Sequence, residues 1–336
     1  MTTNNEEYFM KKQRLSLLFI LGFLYLILFN FGRPPVHAAD EKQIFLNKTA
    51  ADCPYKLIHH KQELLVPFEW FIKNMGGTNY SYHPETKTIS VTVDNYLKQQ
   101  EYLSYLNGLA NASLDYPLAS RLQGFTLSPY PISNDSPAIL NQTPLYLEIH
   151  SGSFAITFTL YDYQLGTEQL YVGANWLNTL FLATIDETKS EVHITYPTRD
   201  MLDEKITHFQ RVLSPLTKEE ALALWIHGLQ YRNGGLQYVA LSKPLRSKVL
   251  SYIQTNGFVT GGSSPSLETA HVVSATMPSD DEVIYTVEFQ ERLVSNEYAP
   301  HPLTQIITIK KEIVDSKAFW FIQKVEGRLD YYTILN

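Results

Sequence analysis

The chain has 336 residues, 44% of them hydrophobic and 18% charged, with a formal net charge of −7. That balance supplies enough apolar surface for real cores and excludes a globally disordered chain, while the length suits two or three domains. The acidic balance argues against a nucleic-acid partner, because phosphate contacts need a basic surface, and against a polybasic lipid-binding patch.

The N-terminus carries a positive cluster, Lys11, Lys12 and Arg14, followed by an apolar run that opens at Leu15 and closes at Phe31. Val36 and Ala38 then place small residues where a signal peptidase needs them, so residues 1–38 read as a signal peptide cut after Ala38 or Ala39. The rival reading is an uncleaved membrane anchor, since the run is near the lower limit of roughly 20 residues for a span. Its positive flank would stay inside. Both readings place the rest of the chain outside the cytoplasm, secreted or anchored. The single cysteine, Cys53, excludes an internal disulfide and reads as a small, partly buried hydrophobe. It lies far beyond the apolar run, which argues against lipid attachment.

Residues 43–93 and 145–196 read as two copies of one unit. Strand-like text opens each; in the second, Phe154, Ile156, Phe158 and Leu160 alternate with period two. Each copy has a valine four residues before a tryptophan, Val66 and Trp70, then Val172 and Trp176. Each closes on a Thr-Lys turn and a strand, at Thr86-Lys87 and Thr188-Lys189. Self-similarity of this kind implies duplicated modules. Between them, residues 94–120 read as helical, with Leu97, Tyr105, Leu106 and Leu109 as core candidates, and residues 128–144 read as loop.

Beyond residue 200, Leu202, Ile206, Phe209 and Leu213 recur at helical spacing. Ser214-Pro215 ends that helix, and Thr217 with Glu220 has the spacing of a capping box. The next helix carries Ala221, Leu224, Trp225 and Leu229 and ends near Asn233-Gly234-Gly235. Residues 243–255 form a further helix. From His271 onward the chain reads as strands, with Val283, Tyr285, Val287 and Phe289 as inward positions. Helices followed by a curved antiparallel sheet make an α+β domain.

Two resemblances sharpen this outline. The segment Leu65-Val66-Pro67-Phe68-Glu69-Trp70-Phe71-Ile72, with Gly76-Gly77 and the strand Thr86-Lys87-Thr88-Ile89-Ser90-Val91, resembles the copper amine oxidase N-terminal-like (stalk) domain. The second copy resembles it more weakly. The chain departs from the family pattern at Glu69, where an arginine is usual, and at Gly173-Ala174, which replace the proline and an aliphatic residue. Trp225, Tyr231-Arg232-Asn233-Gly234, Gln237-Tyr238, Leu241-Ser242 and Gly262-Ser263-Ser264-Pro265 are similar to NTF2-like domains of exported proteins from Gram-positive bacteria. The resemblances imply an α+β chain: stalk-like modules at residues 43–95 and 145–198, a helical and loop connection at 96–144, and an NTF2-like cone of helices on a curved sheet at 200–336.

No residue is assigned as catalytic, cofactor-binding or metal-binding. Asn79-Tyr80 precedes Ser81 rather than the acid that a quinone cofactor sequence requires. His59, His60 and His83 are the metal-like cluster, but His59 and His60, adjacent in a strand, point to opposite faces and cannot easily share an ion. Ser263-Ser264 lacks the strand–turn–helix context of a nucleophile elbow, and Gly261-Gly262 lacks the lysine of a phosphate loop. Glu219-Glu220 suits a helix N-terminus. Trp70, Trp176 and Trp225 read as core anchors. The expected function is a non-catalytic extracytoplasmic envelope protein that binds an envelope protein, a wall polymer or a small ligand. The alternatives are an enzyme using the NTF2-like pocket and a sensor anchored through the N-terminal run.

Overall fold

The computed structural model describes residues 42–60, 63–111, 143–262, 265–295, 297–327, 329 and 332–335. The N-terminal run and its cleavage site lie outside these residues, as do Ser263, Ser264 and most of the 96–144 connection. Among the described residues no helix is long and apolar enough to cross a membrane. They form seven helices and 16 strands in four sheets, an α+β fold.

The first copy contains β1 (Gln43–Leu46), β2 (Thr49–Ala51), β3 (Ile58–His60), β4 (Glu63–Pro67), α1 (Phe68–Asn74), β5 (Gly77–His83), β6 (Thr88–Val93) and α2 (Tyr96–Asn111). The second repeats that order: β7 (Leu145–Ser151), β8 (Phe154–Leu160), β9 (Tyr163–Leu165), β10 (Leu170–Gly173), α3 (Asn175–Phe181), β11 (Thr184–Glu187), β12 (Glu191–Thr195) and α4 (Arg199–Leu213). The duplication thus continues past the last strand of each copy into a helix, further than the sequence pattern alone carries it.

The copies are interlaced. One sheet runs β11-β12-β1-β2 and another β5-β6-β7-β8, so each copy completes a sheet begun by the other. The parallel pairs Ile44↔Val192 and Leu46↔Ile194 in the first sheet are matched by Leu147↔Ile89 and Ile149↔Val91 in the second. The third sheet, β3-β4-β10-β9, is its own counterpart under exchange of the copies. At its centre Val66 lies opposite Val172, the same residue of each copy. These registers describe an internal two-fold axis through the β4–β10 pair. One continuous core joins the three sheets, α1 and α3, and includes Val66, Phe68, Phe71, Leu147, Val172, Leu177 and Val192.

The same axis runs between α2 and α4. Lys205 lies over the Tyr102 ring at 5.2 Å, and the two hold the same place counted from the first residue of their helices. Phe209 packs against Tyr102 and Tyr105 at ring-centroid distances of 5.7 and 6.0 Å. The helical spacing read from the sequence explains this: Leu202, Ile206, Phe209 and Leu213 are all buried on one face of α4, and Thr198 caps its first turn.

That helix pair is the floor of the third unit. Here α5 (Lys218–Gln230), α6 (Gly234–Ala240) and α7 (Lys243–Thr255) precede a meander of β13 (Ser266–Ser279), β14 (Glu282–Arg292), β15 (Leu303–Val314) and β16 (Lys317–Glu326). Register shifts along β13 and between Thr308 and Ile309 add local twist, and the sheet curls into a half-barrel. Thr217 caps α5 by accepting from the Glu220 amide at 3.1 Å, and the Glu220 carboxylate accepts from the Leu216 amide at 2.7 Å. The box therefore closes one residue earlier than its usual form.

Asn233-Gly234-Gly235 does not simply end a helix; it starts α6. The Asn233 side chain accepts from the Leu236 amide and donates to the Ser104 carbonyl of α2. A Cβ on Gly235 would sit 2.5 Å from Ser104 Oγ, so glycine is needed there for close helix approach. The second copy also reaches this unit through its β7–β8 hairpin, where Phe154 stacks on Tyr96 at 5.9 Å and meets Gly257.

Phe209 bridges the two copies' helices inside the larger core. Phe209→Ala is expected to cost about 3–5 kcal/mol. Denaturant unfolding followed by tryptophan fluorescence checks this; a loss below about 1 kcal/mol would contradict the packing described.

Candidate functional site

A cavity of about 660 Å³ lies in the first copy, bounded by β1, β2, the loop 52–57 and β3. That volume lies in the range of small-ligand sites. Ile44, Ala51, Cys53 and Leu57 form its apolar side, and Asp52, Tyr55 and Lys56 its polar side. Lys42 and His59 also line it, and both reach Glu187 of β11: Lys42 Nζ at 2.5 Å and His59 Nε2 at 2.8 Å. Burial raises the Glu187 carboxyl, but hydrogen bonds from Lys42 and His59 outweigh it and hold the group below its ordinary range. The cavity wall is thereby a charged contact between the two copies. Burial pushes the Cys53 thiol up, and Sγ donates to the Tyr55 carbonyl at 3.3 Å. A half-buried thiol with a raised pKa is a poor nucleophile.

A second polar cluster lies on the β4–β10 seam. A Cβ added to Gly173 would come within 2.5 Å of Asp162 Oδ2, Asn175 Oδ1 and Glu63 Oε1, so three oxygens from both copies crowd one glycine. Asp162 is fully buried and accepts from Trp176 Nε1 at 2.8 and 2.9 Å. Burial raises its pKa, while the bonds from Trp176 and Asn175 work against that rise. Glu63 is pushed up to about 7, first by burial and then by the Asp162 charge. Like charges in close approach cannot both ionise cheaply. In α2, burial likewise lifts Glu101 to about 7, opposed by Lys98 and by hydrogen bonds from Gln210 and Tyr105.

The residues weighed from the sequence fall apart in space or become structural. His59 bonds to Glu187, and His83 bonds to Ser81 at 3.3 Å. Among the described residues no group of three or more His, Cys, Asp or Glu is placed to hold a metal ion. Asn79 has a left-handed backbone at φ 53° within β5, at the register shift between Thr78 and Ser81, and the Tyr80 hydroxyl is raised by burial. Glu219 and Glu220 occupy the first turn of α5.

Trp176 and Trp225 are core residues; Trp225 is fully buried and donates to Gln305 Oε1 at 2.9 Å. Trp70 is not. It stays half-buried against Phe71 at 4.8 Å, and Phe68, Phe71 and Ile72 fill the core in its place. The reason is chemical. The acceptor for Trp176 is Asp162, whose register counterpart in the first copy is Lys56, a side chain with no acceptor. The Glu63–Asp162 pair had no local signal in the sequence, because its members are far apart and belong to different copies.

No family model matches the chain, and no curated protein matches it.

The raised Glu63 carboxyl makes a pH prediction. Its folded pKa of about 7 exceeds its ordinary 4.5, so the folded state holds this proton more tightly. The stabilisation is complete below the ordinary value and is lost as pH rises toward 7. Glu63→Gln should flatten the fall in melting temperature between about pH 5 and about pH 8. Parallel melting curves of variant and parent across that interval would contradict the pairing.

Proposed function

We propose that the protein is a non-catalytic, extracytoplasmic binding protein of the bacterial envelope. In this reading the stalk-like copies act with an NTF2-like unit, and the partner is an envelope protein, a wall polymer or a small ligand. The observation that carries it is where space is filled and where it is open. The concave side of the half-barrel is occupied by the chain's own Val283, Tyr285, Val287 and Phe289, all buried, with Trp225 among them. The 660 Å³ cavity lies instead in the stalk-like body.

An NTF2-like enzyme would bring titratable groups together inside the cone. The buried polar contact between Trp225 and Gln305 pairs two groups that do not titrate near neutral pH, which favours binding over acid–base chemistry. Export rests on the positive cluster, the apolar run and the Val36–Ala38 pattern.

Fractionation of a Gram-positive host tests the location. The expected product is outside the cytoplasm and begins at Ala39 or Asp40, or is in the membrane with the apolar run retained. A soluble cytosolic protein that still begins at Met1 would overturn the assignment.

A further inference from the structure

The internal two-fold shows what the cavity lacks. Ile44 corresponds to Leu147, since each sits at the same point of its parallel pair. Ala51 lies opposite Ile44, and Phe158 lies opposite Leu147. Ala51 is therefore the counterpart of Phe158, on the same core-facing side of its strand. Two residues further on, Cys53 is the counterpart of Leu160. In the second copy Leu160 is fully buried, and Phe158 packs edge-on against Trp176 at 5.7 Å. In the first copy the smaller side chains of Ala51 and Cys53 stand at those positions and line the cavity, and Trp70, the counterpart of Trp176, is half-buried.

We propose that this cavity binds a phenyl-type side chain on an amino-acid or peptide backbone, seated where Phe158 sits in the second copy. A benzyl group has the shape that this architecture already accommodates in the other half of the body. The polar atoms of a ligand backbone would meet Asp52, Tyr55 and Lys56, which offer both charges and a hydroxyl. Lys42 and His59, bonded to Glu187, hold one wall in place across the copies. The assignment rests on the reading of the protein as a binding protein and names the ligand class for that reading.

The test is calorimetric titration of the intact exported form with L-phenylalanine, N-acetyl-L-phenylalaninamide and a short peptide with a central phenylalanine. The corresponding alanine compounds are controls. Binding of the phenyl compounds, with the alanine controls at least about tenfold weaker, is the expected result; the three phenyl probes separate a free amino acid from a peptide-borne side chain. Ala51→Phe should weaken binding at least about tenfold while leaving the melting temperature unchanged or higher, because the new ring fills the cavity. Cys53→Leu is the second variant and should weaken binding in the same direction if Ala51→Phe fails to fold.

The proposal is overturned if no phenyl probe binds the parent protein, or if both folded variants bind as the parent does. Either result leaves the envelope location, tested by fractionation, as it stands.

Discussion

The antiparallel pairing of β4 with β10, through Val66 and Val172, is the contact on which the rest of the body depends. It sets the axis that relates the copies, and with it the register of both flanking sheets. A strand slip of one residue would turn the core faces of β4 or β10 outward and expose valines that are now fully buried. The crowding of Glu63, Asp162 and Asn175 around Gly173 sits beside this pair. A congested polar site and a fully buried apolar contact thus share one seam.

The two copies have diverged in opposite directions around the same frame. The second has a longer hairpin, whose Phe154 docks into the third unit against Tyr96 and Gly257. It fills its own interior with Phe158, Leu160 and Trp176. The first has a three-residue β2 with small side chains, and keeps open space. A duplicated framework can divide labour in this way: one half supplies the anchorage, and the other is relieved of packing and can present a concavity.

Much of the fold was legible in local patterns. The spacing of Leu202, Ile206, Phe209 and Leu213 marks the buried face of α4, and the alternation through Val283, Tyr285, Val287 and Phe289 marks the inner face of β14. The paired Val–Trp signals marked the duplication. The interlacing was not legible, because a pattern in one strand says which face is buried but not which distant strand lies alongside. Helix α6 was hidden because Gly234 and Gly235 look like a terminator; what they provide is room for Ile253 and the Phe258 carbonyl at Gly234 and for α2 at Gly235. The candidate site was hidden for a related reason. Ala51 and Cys53 mean little alone and become informative only against Phe158 and Leu160.

Interlacing also has a kinetic side. Strand β1 finds its parallel neighbour only in β12, with Gln43 opposite Glu191, so the first sheet cannot close until nearly all of the second copy exists as chain. Pairings at such separation are slow to form, since loop closure precedes any reward in contacts. In a polypeptide emerging from the ribosome, that sheet would stay open until β12 has been made. That delay suits any route in which the chain must be threaded before it folds.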